Sequence, residues 1–189
     1  INLETITALI EETFAVKKNL IASNMDAIRL GFDYANENFA CPLPSKVAAM
    51  DGTKGHIIID GNTAAGLGCL YAGATVGAWY PITPSTSLMD AFRDFCLRYR
   101  VDPESGKRTY CIIQAEDELA AIGMVIGAAW NGARSFTPTS GPGISLMSEF
   151  IGYAYYAEIP TVIFNVQRTG PSTGMPTRTQ QCDIISCAY

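Results

Sequence analysis

Histidine and charge are scarce in this chain of 189 residues: His56 stands alone, and 16% of the residues are charged. With one imidazole beside an apolar run, no Ser/His/Asp set is expected. The six cysteines, Cys41, Cys69, Cys96, Cys111, Cys182 and Cys187, form no C-x-x-C pair. No metal site, zinc or iron–sulfur, is therefore expected from this chain alone, and the thiols read as reduced core fillers of a cytoplasmic protein. Lys and Arg number 13 against 18 Asp and Glu, a net charge of −5, and they form no basic stripe. Nucleic acid and membrane are accordingly excluded as expected partners. The longest apolar stretch, Leu119 to Trp130, falls short of the about 20 residues that span a bilayer. No basic-led apolar leader opens the chain, which lacks a starting Met and stops at Tyr189 without a helix-ending signal. It reads as a piece of a larger protein. Nucleotide loops are missing as well: Gly61, Gly66 and Gly68 break the G-x-G-x-x-G spacing, and the loop Gly170 to Arg178 has no Gly-Lys-Ser/Thr. Those three glycines are expected to permit close helix–sheet packing.

Apolar residues are plentiful. At 48% hydrophobic, the chain has material for a large core. Leu3, Ile6, Ile10 and Phe14 recur at helical spacing, and Met25, Ile28 and Phe32 do so again after Ser23-Asn24, a good N-cap pair. These two amphipathic helices have no strand between them and should dock on something. Cys41-Pro42-Leu43-Pro44-Ser45 reads as an extended linker. The expected division is a helical arm with its linker over 1–45 and an α/β domain over 46–189.

That domain is expected to begin with the strand His56-Ile57-Ile58-Ile59 and the helix Ala64 to Tyr71. The strand Val76 to Tyr80 and the helix Leu88 to Tyr99 follow, with Ser85 as cap. Next come a buried strand at Cys111-Ile112-Ile113, a helix Leu119 to Trp130 buried on most sides, and a strand Arg134 to Thr137. The helix Ile144 to Ala157, with Tyr153, Tyr155 and Tyr156 as packing residues, and the strand Thr161 to Val166 complete the order. Strands alternating with helices predict an α/β fold with a largely parallel sheet flanked by helices. Sites in such sheets form at the carboxyl ends of the strands.

Two stretches stand at such ends. Glu116, Asp117 and Glu118 pack three carboxylates into the start of a helix. They can simply answer the helix dipole. They also repel one another, and one of them buried in a cleft, with a raised pKa, would be a general-acid candidate. In Pro81-Ile82-Thr83-Pro84, Thr83 is either part of a rigid turn or a preorganised hydroxyl. The long Gly170 to Arg178 loop has the length of a substrate cover.

Five segments together resemble a known family. Tyr80-Pro81-Ile82-Thr83-Pro84-Ser85, Gln114-Ala115-Glu116-Asp117-Glu118, Thr139-Ser140-Gly141-Pro142-Gly143, Val166-Gln167-Arg168 and Gly170-Pro171-Ser172-Thr173-Gly174-Met175-Pro176-Thr177 keep the order and spacing of the 2-oxoacid:ferredoxin oxidoreductases. The likeness is to the pyrimidine-binding domain of the alpha subunit, a thiamine-diphosphate-binding fold, over residues 57 to 189. Residues 1 to 45 resemble the tail of a gamma domain, fused ahead of alpha in one branch.

The resemblance implies roles. Glu118, by its distance from Gly127, matches the glutamate that hydrogen-bonds N1′ of the aminopyrimidine. Thr83 matches the threonine that hydrogen-bonds the 2-oxoacid, and Arg168 the arginine that pairs with its carboxylate. Pro81, Ile82, Ser140 and Gly141 belong to loops around the site. The implied reaction is coenzyme A-dependent oxidative decarboxylation of a small 2-oxoacid, 2-oxoglutarate favoured, with electrons passed to ferredoxin. No Gly-Asp-Gly followed by a distant Asn is present to hold magnesium and diphosphate, and no cysteine set is present for a cluster. In the family, those lie on a beta subunit or on ferredoxin-like parts. The resemblance thus implies half a site within a hetero-oligomer. Pro138 departs from the small residue of many relatives, which predicts a shortened strand or a shift of Thr139 and Ser140. Two rival readings are a subunit of a non-oxidative thiamine-diphosphate decarboxylase and a catalytically silent scaffold.

Overall fold

A computed structural model describes residues 2–40, 48, 50–168 and 184–188. The chain divides into two compact units, Ile1–Gly55 and His56–Tyr189. The linker Cys41 to Ser45 lies outside the described residues.

The first unit holds helices α1 (Leu3–Thr13) and α2 (Asn19–Asn38). Asn2 caps α1 by accepting from the Glu4 N–H at 2.9 Å, satisfying a donor with no partner inside the helix. Leu3, Ile6, Ile10 and Phe14 are all half-buried, as their spacing requires, and Met25 is buried. The expected cap at Ser23-Asn24 is not observed. Because α2 starts earlier, Ser23 Oγ and Asn24 Nδ2 both donate to the Leu20 carbonyl, at 3.1 and 2.8 Å. Inside a helix these side chains bond backward to the preceding turn instead of capping forward.

The second unit runs α3 (Gly61–Tyr71), β1 (Val76–Trp79), α4 (Thr86–Tyr99), β2 (Cys111–Gln114), α5 (Glu118–Trp130), β3 (Ser135–Thr139), α6 (Gly141–Tyr156), β4 (Val162–Asn165) and α7 (Ile184–Ala188). The four strands form a parallel sheet in the order β2-β1-β3-β4. One core gathers Cys69 of α3, Leu88, Met89, Phe92 and Cys96 of α4, and Trp79 and Phe136 of the sheet. Phe136 anchors it edge-to-face, its ring 4.9 Å from Phe92 and 5.7 Å from Phe164, a favoured aromatic geometry. A second core joins Ile122 and Ile126 of α5 to Met147 and Ala154 of α6, with Ile163 of β4 against it. Three basic contacts close the end of α3: Arg100 donates to the Leu70 and Ala74 carbonyls at 2.8 and 2.7 Å, and Arg134 donates to Ala72. Cations there complement carbonyls that have no partner in the helix.

Several expectations need correction. Residues 56–59 form no strand, and Ile58 is 100% exposed. β-propensity is realised only against a neighbouring strand, and this run has none among the described residues. The strand at Cys111 is not buried: β2 is an edge strand, with Cys111 and Ile113 exposed and Ile112 alone packed on the core. Helix α5 buries Ala121, Ile122, Val125 and Ile126 but leaves Met124 and Trp130 exposed, because only one of its faces meets the sheet and α6. Tyr153, Tyr155 and Tyr156 are exposed rather than packed, Tyr156 at 88%, since they fall off the stripe carrying Met147 and Ala154. Of the three glycines, Gly66 serves a helix–helix crossing: a Cβ there would lie 3.0 Å from the Phe92 N and 3.1 Å from the Leu88 carbonyl of α4.

Pro138 does not shorten its strand, for β3 runs to Thr139 and Pro138 stands in register with Phe164. Thr139 presents its carbonyl to Val166 beyond β4, so by strand alternation Pro138 faces β1. The β1–β3 pairing already ends at Gly77 and Phe136. The proline's missing N–H therefore costs the ladder nothing.

Candidate active site

Every quoted segment within the described residues follows the carboxyl end of a different strand. Tyr80 to Ser85 follows β1, Ala115 to Glu118 follows β2, Ser140 to Gly143 follows β3, and Val166 to Arg168 follows β4. The strand order reverses between β1 and β3, the switch point at which open parallel sheets bind ligands. Here those two strands share only two paired positions before they part.

The three acidic residues have separate fates. Glu116 and Asp117 are exposed, and Glu118 is buried at 6% exposure. Asp117 is the N-cap of α5, accepting from the Ala120 N–H at 2.6 Å. With that helix end satisfied by its neighbour, Glu118 is turned inward as the first helical residue. Its carboxylate has no hydrogen bond or ion pair among the described residues. Against it lies the first turn of α6. A Cβ on Gly143 would fall 2.9 Å from Glu118 Cγ and collide with Thr139 Oγ1. Only glycine lets these three elements meet.

Three hydroxyls on β3 and just beyond it are buried as well. Thr137 Oγ1, Thr139 Oγ1 and Ser140 Oγ are buried without a partner among the described residues. Such groups are rare in native interiors and mark a ligand or an ordered solvent site. Glu118, Thr139 and Ser140, at the carboxyl ends of β2 and β3, offer acceptors and donors that suit the polar edge of a heteroaromatic cofactor such as thiamine diphosphate.

Thr83 lies in the loop after β1 and is an exposed residue. Its carbonyl accepts from Arg168 Nη1 at 3.0 Å. Arg168 is buried at 8% exposure, and its Nε has no partner among the described residues. The structure thus joins Thr83 to Arg168, and Glu118 to Gly143 and Thr139, with no direct hydrogen bond between the two groups. Ser85 does not cap α4 as expected; its Oγ donates back to the Ile82 carbonyl at 2.9 Å, tightening the loop. The loop Gly170 to Arg178 lies outside the described residues.

Sequence reasoning passed over Asn62, whose Nδ2 donates to the Pro84 carbonyl and to Ser87 Oγ, each at 2.8 Å. A signal was present. Asp60 already caps α3 through the Thr63 N–H at 2.9 Å, so a second polar residue there has no capping duty. Thr139 and Gly143 were quoted but given no role of their own; an extra glycine inside a helix is costly unless space demands it.

Residues 67–188 match the family described as pyruvate flavodoxin/ferredoxin oxidoreductase, thiamine diphosphate-binding. The chain is 48% identical to 2-oxoacid:ferredoxin oxidoreductase 1, subunit alpha, of Sulfurisphaera tokodaii, over 67% of this chain and 21% of that protein. It is 38% identical to 2-oxoacid:ferredoxin oxidoreductase 2, subunit alpha, of Aeropyrum pernix, over 98% of this chain and 30% of that one. Among solved structures, 2-oxoglutarate:ferredoxin oxidoreductase from Magnetococcus marinus, with 2-oxoglutarate, coenzyme A and succinyl-CoA bound, superposes with a TM-score of 0.75 at 36% identity. That match covers 96% of this chain and 30% of the other. The chain spans 21% and 30% of the lengths of these two curated relatives. Its parallel sheet, its arm of helices and these matches agree with the fold and family expected from the five segments. The chain belongs to the thiamine-diphosphate-binding family of the pyruvate flavodoxin/ferredoxin oxidoreductases, alongside the alpha subunits of 2-oxoacid:ferredoxin oxidoreductases.

Proposed function

We propose that this chain supplies the pyrimidine half of a thiamine-diphosphate site in a 2-oxoacid:ferredoxin oxidoreductase. The reaction is coenzyme A-dependent oxidative decarboxylation of a 2-oxoacid, with 2-oxoglutarate favoured. The observation that carries this reading is Glu118: a buried glutamate with no hydrogen bond or ion pair among the described residues, packed against a glycine and a hydroxyl that is itself unsatisfied among them.

Glu118 would hold the aminopyrimidine ring of the cofactor through its carboxyl and take part in its proton transfer. When bound, thiamine diphosphate supplies the nucleophilic carbon and the electron sink for decarboxylation. Arg168 takes the substrate carboxylate through the guanidinium edge that holds its unpaired Nε, a charge-assisted contact. Its Nη1 remains on the Thr83 carbonyl, so one side chain ties substrate to loop. Thr83, an exposed residue, offers its hydroxyl to the bound 2-oxoacid. The diphosphate and magnesium belong to a beta subunit, and iron–sulfur clusters on the partner pass electrons to ferredoxin. The matches to Aeropyrum pernix and to the KorA subunit of Mycobacterium tuberculosis cover 98% and 99% of this chain. They support reading residues 1–45 as a segment that those subunits share.

The test is Glu118→Gln in the complete complex, assayed by 2-oxoacid-dependent viologen reduction with coenzyme A. The variant should lose at least about a hundredfold in turnover, the scale of a positioned proton-transfer group. Full activity in a properly assembled Glu118→Gln complex would overturn the assignment.

A further inference from the structure

The loop bearing Thr83 is held from outside at two consecutive carbonyls. Arg168 Nη1 donates to the Thr83 carbonyl at 3.0 Å, from 85 residues along the chain. Asn62 Nδ2 donates to the Pro84 carbonyl at 2.8 Å, from 22 residues away. Its second hydrogen goes to Ser87 Oγ, also at 2.8 Å, in the first turn of α4. From within, the Ile82 carbonyl accepts from the Ser85 N–H at 2.8 Å and from Ser85 Oγ at 2.9 Å. Every held atom is main chain or a neighbouring hydroxyl, and the Thr83 side chain makes no hydrogen bond among the described residues.

Asparagine suits that position. Bridging two acceptors from one atom requires a nitrogen with two hydrogens on a short stem. Aspartate has the same shape but presents lone pairs to the Pro84 carbonyl. Serine has one hydrogen to give. The cap of α3 is already made by Asp60, so Asn62 is not needed to start its helix. We infer that Asn62 is a positioning residue for the Thr83 hydroxyl, acting through the Pro84 carbonyl and never touching substrate. The role in catalysis rests on the function proposed above; the tether itself does not.

The test uses the full chain in its native complex, with Asn62→Asp and, as a control, Ser87→Ala. Asn62→Asp replaces a donor by an acceptor, while a negative charge at a helix start remains welcome. Amide exchange at Ser85 and Thr86, whose N–H groups are bound to Ile82, should quicken by about tenfold or more while α5 is unchanged. With a panel of 2-oxoacids, kcat/KM should fall by about tenfold or more, carried mainly by KM. Thermal midpoint and thiamine diphosphate affinity should hold. Ser87→Ala keeps the loop bond and should leave KM at the wild-type value.

Unchanged exchange in Asn62→Asp would overturn the tether. Faster exchange with unchanged KM would overturn the positioning role, and so would a Ser87→Ala variant that reproduces the KM defect. A wild-type complex that turns over no 2-oxoacid would sink the proposed function instead, with amide exchange still deciding whether Asn62 holds the loop.

Discussion

Gly143→Ala is the sharpest single perturbation of this site. The added methyl would overlap Thr139 Oγ1 and sit 2.9 Å from Glu118 Cγ. Thr139 is fully buried, so its hydroxyl has no free space to turn into. Inserting one carbon into a packed interior costs about 1–3 kcal/mol. For a domain of this size, each kcal/mol lowers the thermal midpoint by about 2–4 °C. The functional loss should be larger than that. If Glu118 yields by several tenths of an ångström, a misplacement approaching 1 Å costs about a hundredfold in rate. Thr139→Ala in the same chain separates the two effects. It removes the collision with Oγ1 and leaves Thr139 Cβ at 3.2 Å, so stability should recover. Glu118 is still pushed, and activity should not recover. The assay is a thermal melt of the assembled complex beside viologen reduction. A Gly143→Ala complex with native midpoint and native turnover would refute the crowding described here, and recovery of both properties in the double variant would show that Glu118 is not displaced.

Other changes carry distinct signatures. Arg168→Lys leaves one ammonium to serve both the Thr83 carbonyl and a carboxylate; kcat/KM should fall about tenfold to a hundredfold, the worth of a charged hydrogen bond, and an unchanged value would remove Arg168 from the substrate site. The Asp60 carboxyl is held below its ordinary 3.8 by the Thr63 hydroxyl first and the Thr63 N–H second. Its stabilising effect is therefore present above that pH and lost as the pH falls through the lowered folded value. The melting gap between wild type and Asp60→Ala should close on acidification below 3.8, and a gap that widened would show the sign to be wrong. Burial, reinforced by nearby Cys96, pushes the Cys69 thiol up to about 11. Cys69 should resist alkylation at neutral pH until denaturant is added, and rapid labelling of the native complex would contradict its burial.

Element types were legible wherever the local pattern was strong: the helical spacing of Leu3, Ile6, Ile10 and Phe14, and the β-prone run closing at Asn165. What failed depended on neighbours distant in sequence. Ile57 and Ile58 have every local mark of a strand, and no partner strand receives them among the described residues. Cys111 to Ile113 and Arg134 to Thr137 both read as strands, but sheet order puts the first at an edge and the second in the middle. The site shows the same division. Three adjacent carboxylates cannot be ranked from composition, because the choice follows from Asp117 turning out to cap the helix. The resemblance singled out Glu118, Thr83 and Arg168; the link between the last two is a bond from the Arg168 side chain to the Thr83 main-chain carbonyl, which no motif encodes. Pro138 was read as a disturbance and is accommodated, because the strand it faces has already parted from it.

The one-sided placement of the site leaves the opposite rim of the sheet available for change. At that rim lie the connections entering each strand, among them the turn from Asp102 to Lys107. Asp102 Oδ1 accepts from the Ser105 N–H at 2.7 Å, and the surrounding residues face solvent. This turn closes on itself and takes no part in aligning Glu118, Thr83 or Arg168. An affinity tag, a fluorophore or a few extra residues entering there should leave the proposed site's geometry as it is.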